Sequence, residues 1–102
     1  MGHVRHAIAT ITLAGLLTGF LAASAQAECY VDYKAKQNDP LRLAYGVAQV
    51  SDHACNNPKL ERAELAPRLK AAGWTLLKIL SSFGPEGLAQ RKANAGAFYL
   101  RF

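Results

Sequence analysis

Histidine, cysteine and acidic side chains are scarce in this chain, which holds three His, two Cys and seven Asp or Glu among 102 residues. No C-x-x-C or C-x-x-C-H occurs, which removes a thioredoxin-like dithiol and covalently attached haem. No G-x-S-x-G elbow accompanies any serine. Gly84 and Gly87 lack the spacing and the lysine of a phosphate-binding loop. No unbroken run of about 20 apolar residues is present, the length needed to cross the hydrocarbon of a bilayer.

What is present begins with three zones. A basic start (His3, Arg5, His6) leads into an apolar run from Ala7 to Ala23, diluted by Thr10, Thr12, Gly15, Thr18 and Gly19, and then into Ser24-Ala25-Gln26-Ala27. Small residues at Ala25 and Ala27 suit the signal-peptidase groove, so residues 1–27 read as a secretory signal peptide. Glu28 stands where a lipoprotein signal needs a small residue before Cys29, and no twin-arginine pair precedes the apolar run. The expected product is a periplasmic or secreted domain over 28–102, not membrane-spanning once cleaved.

Those 75 residues carry 11 Lys or Arg against 7 Asp or Glu, a net charge of 11 − 7 = +4, and 36 of them are apolar. That composition supports one small globular core and leaves no room for a bulky buried cofactor, so none is expected. Cys29 and Cys55 are an even pair in an exported chain, and their pairing is unique. Closing a loop of about 27 residues restricts the unfolded chain by about 3.5 kcal/mol, comparable to the net stability of so small a domain. Metal binding is the rival reading of Asp52-His53-Ala54-Cys55. A structural zinc site wants four protein ligands, and His53 is the one histidine beyond the leader, so no metal is expected.

Hydrophobic periodicity supplies the elements. From Cys29 to Lys36 residues alternate, with Cys29, Val31, Tyr33 and Ala35 on one face and Tyr30, Asp32, Lys34 and Lys36 on the other, as in a half-buried strand. Gln37-Asn38-Asp39-Pro40 signals a turn, and Leu41–Val50 alternates again, which predicts an antiparallel hairpin. Gly46 marks a bulge or a place where a side chain from the other layer comes close. Asn57 and Pro58 open a helix that Gly73 ends, with Pro67 expected to bend it. Trp74–Phe83 reads as a central strand, Leu88–Ala95 as a short helix stopped by Gly96, and the last residues as a closing strand. The fold expected is α+β in the order β-β-α-β-α-β, an antiparallel or mixed sheet with helices on one face and one disulfide.

Tyr45-Gly46-Val47-Ala48-Gln49-Val50, followed by Ala63-Glu64-Leu65-Ala66-Pro67-Arg68-Leu69-Lys70-Ala71-Ala72-Gly73-Trp74, resembles half of a SPOR domain, a small envelope module that binds cell-wall glycan. The match covers about a third of the chain. It implies a βαβ unit in a ferredoxin-like sheet with helices on one face. The leading hairpin departs from the two βαβ halves of that family, and no binding residue carries over. The remainder, with Tyr30–Lys36 and the ending Ala95–Phe102, resembles small exported bacterial proteins of unassigned function.

For chemistry the inventory is thin. His53 with Asp52 beside it, and Ser51, Ser81 or Ser82 as nucleophile, would be the parts of a hydrolase, but a loop histidine beside a disulfide is the plainer reading. Glu61 and Glu64, three apart on a helix, suggest a surface ion pair with Arg68. Tyr30, Lys34 and Lys36 share the outer face of the first strand, where a sugar ring or an acidic group could be held, and Arg91 with Lys92 adds a second basic cluster. Against this stands the reading that these charges only solvate the surface and protect a sheet edge. The partner expected is a cell-wall glycan, an anionic envelope component or an exported protein, not nucleic acid, bound without catalysis. The alternative is a small inhibitor or interaction domain presenting residues 84–96.

Overall fold

The computed structural model describes residues 28–102, and the leader expected over 1–27 lies outside them. Strand β1 (Cys29–Gln37) turns through residues 38–41 into β2 (Arg42–Val50), and a loop leads to helix α1 (Pro58–Ala71). Strand β3 (Thr75–Phe83) follows, then a 3-10 turn (Pro85–Gly87), helix α2 (Ala89–Ala95) and a second 3-10 turn (Gly96–Phe98). The sheet has the order β2-β1-β3, and both outer strands run antiparallel to β1. Strands β2 and β3 are therefore parallel to each other, joined by α1, with β1 inserted between them. The α+β class and the order β-β-α-β-α stand as the periodicity predicts.

Alternation along β1 divides the molecule into two layers. Val31, Tyr33 and Ala35 pack with Ala48, Val50 and Leu76 beneath Leu65 and Leu69 of α1. Full burial of each of those two leucines stabilises the fold by about 1.5–3 kcal/mol. Tyr30 and Val47 point to the opposite face and meet Ala95 of α2 together with Phe83, Leu88 and Tyr99. The helices thus cover opposite faces, where the sequence suggested one shared face. The cause is the 3-10 turn after β3, which carries the chain around to the side on which Tyr30 leaves an apolar strip.

Helix α1 is held at both ends. The side chain of Asn57 accepts from the N–H of Leu60 at 3.2 Å. At its other end Gly73 adopts φ +86°, and the N–H of Trp74 returns to the carbonyl of Leu69 at 2.9 Å. The helix runs continuously through Pro67. Pro67 and Ala63, the residue whose carbonyl loses its partner, are both exposed, so water can take the missing bond. The expected disulfide joins Cys29 to Cys55 and pins the start of β1 to the loop that enters α1.

The closing strand is reduced to a single bridge. Tyr99 pairs in parallel with Val47, and the N–H of Leu100 reaches the Val47 carbonyl at 2.8 Å. Leu100 then takes φ +54°, which turns the chain out of register after one residue. Phe98 and Phe102 fold back toward Trp74, with Phe98 edge-on to the indole at 5.0 Å between centroids. Aromatic packing replaces the ladder that the alternating apolar residues suggested.

Candidate functional site

The face of the sheet opposite α1 is built of cross-strand rows. From the hairpin turn downward they run Leu43–Lys36–Thr75, Tyr45–Lys34–Lys78, Val47–Asp32–Ser81 and Gln49–Tyr30–Phe83. Helix α2 and the tail pack on the lower part, against Tyr30, Val47, Tyr45 and Phe83. The upper rows carry no covering element among the described residues.

At the boundary lies a polar cluster that periodicity alone did not single out. Asp32 accepts from the hydroxyls of Ser81 at 2.6 Å and Tyr45 at 2.9 Å, and from Nε of Arg91 at 3.1 Å. Arg91 also donates to the Gly87 carbonyl at 2.8 Å and lies over the Phe83 ring at 3.8 Å. Burial pushes the Asp32 carboxyl up, but the two hydroxyls and the guanidinium outweigh it and hold the group below its ordinary range. A charge in the middle of an otherwise alternating strand, with an arginine late in the chain, was the available signal. Spacing could not have joined residues 59 positions apart.

This cluster redistributes the sequence candidates. Tyr30 is 5 % exposed, stacked on Phe83 at 6.2 Å, with its hydroxyl donated to Glu28 at 2.7 Å. Its ring presents no open platform. Arg91 is committed to Asp32 and Gly87, and is separated in role from Lys92, which is exposed and stands 5.6 Å from the Tyr99 ring. Lys34 and Lys36 remain on the open rows, Lys34 exposed and Lys36 partly so. The structure adds Lys78, directly opposite Lys34 on β3. Lys78 escaped the sequence reading because the pairing partner of β1 on that side could not be read from periodicity. Beside Lys34 lies a depression of about 250 Å³ lined by Lys34, Ala35, Leu43, Ala44, Tyr45 and Leu77.

The three serines named as potential nucleophiles each donate to a carboxylate: Ser51 to Glu64, Ser81 to Asp32 and Ser82 to Glu61. Among the described residues no imidazole intervenes in any pair, and His53 lies exposed in its loop. The hydroxyl and backbone N–H of Ser51 hold Glu64 below its ordinary range, so Glu64, like Asp32, is a weak base. Glu61 departs from the expected surface pair. It is 0 % exposed, and one oxygen accepts from the Asn56 N–H at 3.0 Å and from Ser82, closing the disulfide loop over β3. Arg68 turns instead to the carbonyls of Gln49 and Phe102. Among the described residues no group of three or more His, Cys, Asp or Glu is arranged to hold a metal ion. No described helix is long and apolar enough to cross a membrane.

No family model, no curated protein and no solved structure matches the chain.

Proposed function

We propose that the chain is a non-catalytic module of the bacterial envelope, exported by the leader at 1–27, that receives an anionic partner on the uncovered rows of its sheet. One observation carries this reading. Lys34 and Lys78 are placed directly opposite each other beside Lys36, and the carboxylate of the next row, Asp32, is taken by Arg91 in the one ion pair among the described residues. Like charges facing across two strands destabilise a sheet, so such a row is favourable mainly when an anion neutralises it. The disulfide between Cys29 and Cys55 is compatible with an oxidising compartment. Wall glycan is the partner that the resemblance to SPOR domains implies, and acidic polymers and acidic lipids share the same charge.

The test is retention of the purified domain by a washed envelope fraction. Lys34→Glu combined with Lys36→Glu should lower retention several-fold, and added salt should do the same. Unchanged retention in the double variant removes the reading. A second reading takes residues 84–96 as a surface for an exported protein. In its favour, Lys92, Ala89, Ala93, Gly96 and Tyr99 line a shallow depression on the outer side of α2. Cross-linking in the native envelope to one defined protein through Lys92, with no retention by wall or membrane, would favour it.

A further inference from the structure

The anionic partner can be narrowed by what surrounds the lysines. Leu43 is 72 % exposed, Leu41 is 66 % exposed and Leu77 is 43 % exposed. Leu43 and Leu77 line the depression that Lys34 also lines, and Leu41 stands at the end of the hairpin turn, two residues before Leu43. Large aliphatic side chains left in water beside cations are the pattern of a surface that meets an amphiphile. A glycan site would instead need flat aromatic platforms and hydrogen-bonding groups directed outward. Here the Tyr30 ring is covered, and the Tyr45 hydroxyl is donated to Asp32.

Charge along the sheet axis points the same way. Lys34, Lys36, Arg42 and Lys78 lie toward the hairpin turn, by the pairing of Gln37 with Arg42, Lys36 with Thr75 and Lys34 with Lys78. Five of the seven acidic residues (Glu28, Asp52, Glu61, Glu64 and Glu86) lie at or next to the far end, where Cys29 pairs with Val50 and Tyr30 with Phe83. Asp39 stands in the turn, while Lys59 and Arg68, which donates to the Gln49 carbonyl, lie toward the far end, so the asymmetry is one of balance. Bases outnumber acids at the turn and not at the other end, and the turn is the end a negative surface draws in. A second copy stacked on the same rows would bring Lys34, Lys36 and Lys78 against their own counterparts, which argues against self-association there.

We infer that the open rows dock on a bilayer surface containing acidic lipids, with Leu41, Leu43 and Leu77 entering the headgroup–acyl boundary and Lys34, Lys36 and Lys78 reaching the phosphates. The inference rests on the anionic reading above and names its partner. Long lysine stems lie along apolar surface while their ammonium groups stay at headgroup level, so both residue types are served in one orientation.

Flotation of the disulfide-bonded domain with vesicles tests it. Vesicles of phosphatidylcholine with phosphatidylglycerol should carry the protein upward, and vesicles of phosphatidylcholine alone should not. Lys34→Glu with Lys36→Glu should weaken partition by roughly tenfold or more, and Leu43→Ser with Leu77→Ser should weaken it by a similar factor, roughly tenfold, with every charge retained. These leucines are exposed, and an unchanged circular dichroism spectrum shows that the variant is folded. Acidic-vesicle binding that the leucine variant leaves untouched overturns the inference. So does sedimentation with isolated cell wall in the absence of vesicle binding, although the anionic reading then survives. Binding to neither overturns both.

Discussion

Tyr33 and Gly46 face each other across β1 and β2, and the glycine is there because the ring lies on it. A Cβ at position 46 would stand 2.3 Å from the Tyr33 hydroxyl and 2.4 Å from its ring carbon. Gly46→Ala should therefore destabilise the domain by about 1–3 kcal/mol, read as a lower denaturant midpoint with an unchanged slope. The sequence flagged the position, but as an approach from the other layer. The neighbour is cross-strand, a distinction that only register decides. Burial pushes the Tyr33 phenol up to about 12, and its hydroxyl has no hydrogen-bond partner among the described residues. Asp32 supplies the second residue-scale prediction. Asp32→Asn removes the charge that Arg91 answers and should cost about 2–3 kcal/mol. Because the folded carboxyl lies below its unfolded value of 3.8, its contribution is present above that pH and fades as the pH falls through the folded value. Acid titration followed by Trp74 fluorescence should show a shallower acid limb in the Asn variant. An equal acid limb in both proteins would show that Asp32 does not govern acid stability.

Among the elements, the disulfide joins the first residue of β1 to the loop whose Asn56 N–H donates to Glu61. Cys29→Ala with Cys55→Ala should lower stability by about 3 kcal/mol, measured by urea unfolding against the oxidised protein. Loss of much less would mean that the Glu61 contacts already hold the loop. The strands and helices were legible because their signals are local: alternation in β1 and β2, the Asn57 cap, and glycines 73 and 96 at positive φ. What could not be read were features set by distant packing. The side taken by α2 depends on the turn after β3, and the tail leaves the sheet because Trp74 offers Phe98 an aromatic partner. Glu61 was read as a surface residue for a similar reason. Nothing in its own helix announces that Asn56 and Ser82 will bury it.

The whole molecule is defined by two unequal ends and two unequal faces. One face is filled by α1, while the other is sealed by α2 only where Tyr30 and Val47 need covering. The basic end should make association with any negative surface fall steeply with ionic strength, since the screening length shrinks from about 10 Å at 0.1 M to about 3 Å at 1 M salt. Retention measured across that range should decline monotonically, and a salt-insensitive complex would point to an uncharged partner instead. The residues proposed to meet the anion were only partly legible. Lys34 and Lys36 share a parity that the sequence displays, whereas Lys78 joins them through the β1–β3 register.

Strand β1 (Cys29–Gln37) runs the height of the sheet, with Glu28 just ahead of one limit and Gln37 at the other. At about 3.3 Å per residue the two are separated by about 30 Å. A purification handle or sensor-chip linkage joined directly ahead of Glu28 in a domain of residues 28–102 would consequently sit at the end of the sheet away from the hairpin turn, and so leaves the proposed docking rows unobstructed.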